Sequence, residues 1–290
     1  MARIIPASEL IINADGSIFH LHLKPEMLTD RIILVGDPAR VDMVASFFDK
    51  KIHEVSSREF HTIVGEYKGK PVMCLSHGIG ADNIDIVVNE LDALANIDFE
   101  TRTVKDTFRQ LSMVRVGTSG SLQNDIPVGA MVVAGKALGI DGAFHFYKDS
   151  EKYRDIELEN EFIRQTGWNP IWNRPYIVDA DESLTKQILT DEMTVGITIT
   201  ANGFYGPQGR ELRLSIADEN YKTVLNEFSY KGYRLTNFEM ESAMLQGLSK
   251  LMGHRAVTVC SIIAGRMTNN ANTNYKGSIE ELIKIILEKI

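Results

Sequence analysis

Three arginines stand where the chain turns: Arg40 in Gly36-Asp37-Pro38-Ala39-Arg40, Arg58 in Ser57-Arg58-Glu59-Phe60, and Arg115 in Val114-Arg115-Val116-Gly117-Thr118-Ser119-Gly120. A guanidinium offers five N–H donors in a planar fork that matches phosphate oxygens, and glycines let backbone N–H groups approach the same anion. The chemistry these segments suggest is the holding of a small anion such as free phosphate. For Arg40 an ordinary turn carrying a solvated arginine is an equal alternative. Arg115 is more demanding, because it interrupts the apolar run Met113-Val114-Arg115-Val116. An arginine on a buried strand needs an anionic partner to offset its desolvation. A structural carboxylate would serve; the hydroxyls and glycine N–H groups that follow at once favour a ligand anion.

Two further segments carry polar chemistry. In Glu239-Met240-Glu241-Ser242 two carboxylates stand before an apolar run that reads as a helix over Glu239 to Leu251. Acidic residues in a first helical turn can be dipole partners on a solvated face, or one of them points inward, where it would accept two hydrogen bonds from sugar hydroxyls. In Phe204-Tyr205-Gly206-Pro207-Gln208-Gly209-Arg210 the amide and the guanidinium suit the edge of a planar heterocycle, with Phe204 available to stack on its face. A plain surface loop explains the same Gly and Pro content. Gly78-x-Gly80-x-x-Asn83 lacks the last glycine of a dinucleotide fingerprint and reads as a tight turn into a helix.

These residues must be positioned by short β-branched strands alternating with helical patterns. Arg31 to Val35 stops at Gly36-Asp37-Pro38, and Arg40 to Phe48 has helical spacing. Val55 to Tyr67 alternates as a strand, and the break at Lys68-Gly69-Lys70 leads by a hairpin into a buried strand at Val72 to Ser76. Ala81 to Leu94 reads as a helix, and Met113–Val116, Ala130–Ala134, Thr194–Thr200 and Arg255–Ile263 as strands. Gly277 to Ile290 closes the chain as an amphipathic helix, while Asn96 to Ser112 and Tyr147 to Asp181 are the least sheet-like regions. The expected architecture is α/β: one domain over residues 1–290, a mixed central β-sheet flanked by helices, with ligand-binding turns at strand ends.

Composition narrows the partners. With 290 residues, 44% of them hydrophobic, the chain can bury a large core. Its net charge of −8 gives no basic field for a polyanion, so nucleic acid is not an expected partner and the arginines act locally. The two cysteines, Cys74 and Cys260, sit in strand-like runs without a CxxC pattern and read as buried thiols in a reducing compartment. No segment reaches membrane-spanning length and no leader is visible, so no membrane partner and a cytoplasmic location are expected.

Taken together, Gly36-Asp37-Pro38-Ala39-Arg40, Ser57-Arg58-Glu59-Phe60, Arg115-Val116-Gly117-Thr118-Ser119-Gly120, Phe204 to Arg210, Phe238-Glu239-Met240-Glu241-Ser242 and Ile262-Ile263-Ala264-Gly265-Arg266 resemble the nucleoside phosphorylase family, in particular its uridine-cleaving members. The likeness runs in order from about Phe19 to the C-terminus. It implies a pentosyltransferase in which phosphate attacks the anomeric carbon of uridine to give uracil and ribose 1-phosphate, as in pyrimidine salvage. By the same resemblance Gly36, Arg40, Arg115 and Thr118 would hold phosphate with Arg58 of a neighbouring subunit. Thr118, Met240, Glu241 and a neighbour's His20 would hold ribose. Ser119, Gly120, Phe204, Gln208, Arg210 and Arg266 would hold the base, and the implied catalytic residues are Arg115, Thr118, Gln208 and Arg210. Purine-cleaving relatives carry an aspartate after the strand that here reads Ser261 to Arg266, and no aspartate stands there.

The resemblance implies no cofactor and no catalytic metal, with uridine and inorganic phosphate as substrates. It also implies a homodimer as the minimal active unit, extended to a hexamer in some relatives. In some a monovalent cation lies at the dimer interface, at positions matching Glu59, Ile79 and Asn83; the serine common at the last is Asn83 here. A phosphate-independent nucleosidase, a broader pyrimidine or purine nucleoside phosphorylase and a non-enzymatic nucleoside sensor are the competing readings. Three arginines suited to one anion favour phosphorolysis.

Overall fold

The computed structural model describes residues 3–290. Its strands are β1 (Arg31–Val35), β2 (Lys50–Ser57), β3 (Phe60–Tyr67), β4 (Lys70–Ser76), β5 (Ile97–Asp98), β6 (Thr103–Val104), β7 (Ser112–Ser121), β8 (Met131–Gly139), β9 (Tyr176–Asp179), β10 (Met193–Thr200), β11 (Ser229–Tyr230), β12 (Tyr233–Glu239), β13 (Arg255–Gly265) and β14 (Asn270–Ala271). The α-helices are α1 (Pro38–Ala45), α2 (Ala81–Asn96), α3 (Ile156–Thr166), α4 (Glu182–Ile188), α5 (Tyr221–Glu227), α6 (Ser242–Leu251) and α7 (Lys276–Lys289). No helix among the described residues is long and apolar enough to cross a membrane.

One mixed sheet organises the chain in the order β11-β12-β10-β8-β13-β7-β1-β4-β3-β2. An antiparallel pairing of β12 with the far end of β7, Phe238 opposite Gly120, closes the middle strands into a ring. β1 runs parallel to both β4 and β7, so the C-terminal ends of these three strands, and the turns that follow β1 and β4, open on the same side. Helices cover the sheet with periodic apolar stripes. α2 buries Ile84, Val87, Val88, Leu91 and Leu94 in a cluster shared with α6, and α7 buries Ile279, Leu282, Ile283 and Ile286 in another shared with α1 and α4. Both cysteines are buried and unpaired, and burial pushes the Cys260 thiol up to about 12.

Three readings of the sequence change. The alternating run from Val55 to Tyr67 is a hairpin of β2 and β3 rather than one strand, with Arg58 in its turn at a φ of 54°. No glycine marks that turn, so alternation alone runs through it. The helix expected from Glu239 begins at Ser242, because Glu239 still belongs to β12, opposite Thr200 of β10. The segment from Asn96 to Ser112 holds the small β5–β6 hairpin, turned through Arg102 at a φ of 57°.

Candidate active site

The strand ends meet around a cavity of about 880 Å³. It is bounded by the β1–α1 turn (Gly36, Asp37, Pro38, Arg40), the turn into α2 (Gly78, Ile79, Asn83), the end of β7 (Arg115, Thr118, Ser119, Gly120), the Phe204–Arg210 loop and the β12–α6 junction (Phe238 to Glu241). The N-termini of α1, α2 and α6 therefore border one space, and helix N-termini favour anions. Local chemistry builds each end: Asp37 caps α1 by accepting from the Ala39 N–H at 2.9 Å, with Pro38 supplying a first residue that needs no acceptor. Glu239 accepts from the backbone N–H groups of Glu241 and Ser242 (both 2.9 Å) and so caps α6.

Arg115 is buried and held on three sides. Its Nη1 lies 2.9 Å from Glu239, its Nη2 is paired with Glu241, and its Nε donates to His77 Nε2 at 3.1 Å. Burial opposes the charge, but Glu241 and Glu239 hold the guanidinium above the ordinary arginine range. The side chain reaches them by lying over Gly117, where a Cβ would stand 2.6 Å from Nη1. The partner that the buried strand demanded is thus a pair of carboxylates, where the sequence reading favoured a ligand anion. Both come from the β12–α6 junction far along the chain, and their approach to β7 is not visible in linear order.

Arg40 differs. Its side chain donates to the Val116 carbonyl at 3.3 Å and forms no ion pair among the described residues. Burial, and then the charge of Arg115, draw it below the ordinary arginine range. A half-buried cation near a second cation, on a cavity wall shared with Gly36 and Thr118, is a place an anion would relieve.

Glu241 joins the two halves of the cavity. One oxygen accepts from the Gly80 N–H at 2.7 Å and the other from Arg115. Burial raises its pKa against the pull of Arg115. Both Glu239 and Glu241 are buried, so neither lies on a solvated face. Met240 lies beside them on the wall.

At the other end, Gln208 Oε1 accepts from Arg210, whose Nη1 also donates to the Phe204 carbonyl at 2.6 Å. The Arg210 guanidinium sits 3.7 Å from the centre of the Phe204 ring, so one face of that ring is already covered by a cation. Burial and the nearby Arg266 draw Arg210 down to about 10, which leaves it charged at neutral pH. Ser119 is oriented by Asn237, whose Nδ2 donates to its hydroxyl at 2.9 Å.

The remaining residues lie elsewhere. Arg266 does not line the cavity: its stem packs over Gly120 and its Nη2 donates to the Gln208 carbonyl at 2.9 Å, so it supports the loop from behind. His20 and Arg58 lie outside the cavity of their own chain and share a patch with Phe19. The His20 ring is 4.7 Å from that ring and the Arg58 guanidinium 5.8 Å. Glu90 holds His20 through its backbone N–H and through Nδ1 at 2.6 Å. Glu59 and Asn83 close around Gly78, where a Cβ would clash with both. His77 and the Asn272–Tyr275 edge of the cavity carried no signal in sequence; His77 only precedes the nucleotide-like run that begins at Gly78.

The profile of the phosphorylase superfamily matches residues 30–288. The chain is 30% identical to the uridine phosphorylase of Thermococcus kodakarensis over 88% of its own length and 80% of that protein, and 29% identical to that of Escherichia coli over 94% and 96%. The crystal structure of a Trypanosoma brucei nucleoside phosphorylase, described as showing uridine phosphorylase activity, superposes with a TM-score of 0.88 at 31% identity, covering 97% of this chain and 98% of that one. On its fold, its cavity and a profile match over nearly its whole length, the chain belongs to the phosphorylase superfamily.

Proposed function

We propose that the cavity carries out phosphorolysis of uridine, releasing uracil and ribose 1-phosphate. The observation that carries this reading is the pair of unlike ends in one space. Arg40, without a carboxylate partner, stands beside Arg115 and Thr118 at one end, and the Gln208–Arg210 pair stands at the other, with Glu241 between them. The uridine phosphorylases among its relatives support the choice of substrate.

The chemistry follows from where charge develops. As the glycosidic bond breaks, ribose becomes cationic and uracil leaves as an anion. Donors aimed at the uracil oxygens then bind the transition state more tightly than the ground state. Arg210, fixed by its stack on Phe204 and its bonds to Gln208 and the Phe204 carbonyl, would supply them without reorganising. Arg266 holds the Gln208 carbonyl and so keeps the loop in place. Phosphate at Gly36, Arg40, Arg115 and Thr118 would attack from the opposite side of the sugar, which Glu241 and Met240 orient, and its negative charge would support the cationic carbon.

The minimal active unit on this reading is a dimer. Arg58 is exposed and its neighbour Glu59 lines the cavity, so the arginine is directed away from its own site. Gathered with His20 around Phe19, it is placed to reach a partner's phosphate while His20 reaches the partner's ribose. Uridine cleavage assayed with and without phosphate, with inosine alongside, tests the reading. Cleavage of uridine only when phosphate is present is expected; phosphate-independent cleavage, or a preference for inosine, would replace it.

A further inference from the structure

We propose that His77 is a positioning residue of the phosphate end: its Nε2 accepts from Arg115 Nε and fixes the plane of that guanidinium. This rests on the phosphorolytic reading of the cavity.

His77 follows β4 and is wholly buried. Its backbone N–H donates to the Val35 carbonyl at 2.8 Å, which seats it beside the end of β1. Its Cε1 lies 3.7 Å from where a side chain at Gly36 would begin, so the ring lies close to the phosphate turn. Arginine has no acceptor, so the 3.1 Å contact between Arg115 Nε and His77 Nε2 requires a bare Nε2 and a proton on Nδ1. That Nδ1 is buried without a partner among the described residues. An apolar ring would fill the same volume and leave no donor idle. What the imidazole adds is the acceptor.

The need for that acceptor is geometric. Both carboxylates that grip Arg115 come from the β12–α6 junction and take Nη1 and Nη2. A group held only through its two terminal nitrogens can tilt about the line joining them. The bond to Nε supplies the third point. The imidazole can serve only while neutral, since a protonated ring would lose the acceptor and place a third cation next to Arg115 and Arg40. Burial and those two arginines hold its pKa well below the ordinary histidine value, and Glu239 and Glu241 reach it only through Arg115. Glu241 keeps its own anchor on the Gly80 N–H, so the sugar end does not depend on His77 in the same way.

The test uses a pair of variants of matched size, His77→Gln and His77→Met. The Gln carbonyl oxygen can reach the place of Nε2 and accept from Arg115, whereas the Met sulfur is a poor acceptor. The Met variant is expected to raise the KM for phosphate roughly tenfold to a hundredfold, from the loss of a hydrogen bond to a charged group. Its KM for uridine should stay within about threefold, and the Gln variant should keep both KM values within about threefold. An unchanged phosphate KM in the Met variant, or equal damage in both, would overturn the proposal. Nitrogen-15 NMR of the wild-type imidazoles decides it if a variant fails to fold: at neutral pH His77 should be protonated at Nδ1 and bare at Nε2, and the reverse tautomer rules the acceptor role out. That readout is independent of turnover. If the phosphorolytic reading itself were wrong, the wild-type enzyme would cleave without phosphate or not at all, while the tautomer would be unaffected.

Discussion

The Arg115 guanidinium lies across the bare face of Gly117, two residues further along the same strand, with Cys260 Sγ closing the other side at 3.0 Å from where a Cβ would stand. Alternation along a strand puts residues two apart on the same face, and only glycine leaves room there for the guanidinium to reach Glu239 and Glu241. Gly117→Ala should therefore displace Arg115 rather than fill space. Overpacking of this kind destabilises by about 1–3 kcal/mol, and turnover should fall further than the lost stability explains. Urea unfolding together with steady-state kinetics checks both; a variant with normal kcat and normal stability would show that Arg115 has another path.

Arg115 and Arg40 should separate under alanine substitution. Removing Arg115 strands two buried carboxylates, and breaking a buried pair costs about 3–5 kcal/mol. Arg115→Ala is therefore expected to unfold at markedly lower urea. Arg40 forms no ion pair among the described residues, so Arg40→Ala should keep its unfolding midpoint and lose affinity for phosphate. Equal stability of the two variants would mean that the Arg115 cluster carries little of the fold.

Arg210→Lys keeps the charge and removes the planar fork that stacks on Phe204 and binds both Gln208 and the Phe204 carbonyl. Loss of one preorganised donor at a developing anion lowers kcat by roughly a hundredfold to a thousandfold. Uridine should show this loss in kcat, with little change in the KM for phosphate. A compensating gain with substrates whose leaving group is already a weak base would support the assignment; an effect confined to phosphate KM would exchange the two ends of the site.

His77 also gives stability a pH dependence. Its pKa in the folded protein lies well below the ordinary value of 6.5, because of burial first and then Arg115 and Arg40. Below about 6.5 the unfolded chain takes up a proton at this residue that the folded chain refuses, so stability falls as pH drops through that value, by up to about 1.4 kcal/mol per pH unit. Above it His77 contributes no slope. The difference in unfolding free energy between wild type and His77→Gln should therefore vary with pH below 6.5 and be flat above it, and parallel profiles throughout would show that folding leaves the His77 pKa unshifted.

Much of this site is legible in the residues themselves, and what is not has a physical reason. Gly36 to Arg40 reads correctly as a turn into a helix because Asp37 and Pro38 act locally, through a cap and a fixed φ. Arg115 signals its need for an anion by lying in an apolar run, but linear order cannot say that Glu239 and Glu241 meet it, since a sheet ring brings them together. The hairpin turn at Arg58 is hidden because a non-glycine residue takes the left-handed conformation. His77 is hidden for a simpler reason: a histidine after a strand has many uses, and only its distance from Arg115 selects one.

Arg58 lies outside the cavity that Arg40 lines in the same chain, so a dimer with crossed contributions would take Arg40 from one subunit and Arg58 from the other. Arg40→Ala and Arg58→Ala homodimers each carry a lesion in both sites and should be nearly inactive at ordinary phosphate concentrations. In a mixed dimer, two-fold symmetry places both lesions in one site and neither in the other. Subunit exchange should then restore activity to about half the wild-type value per mixed dimer. Neither substitution removes a partner of the buried carboxylates, so loss of folding does not obscure the result. If mass measurement shows that mixed dimers form and activity does not return, Arg58 acts within its own subunit or not at all.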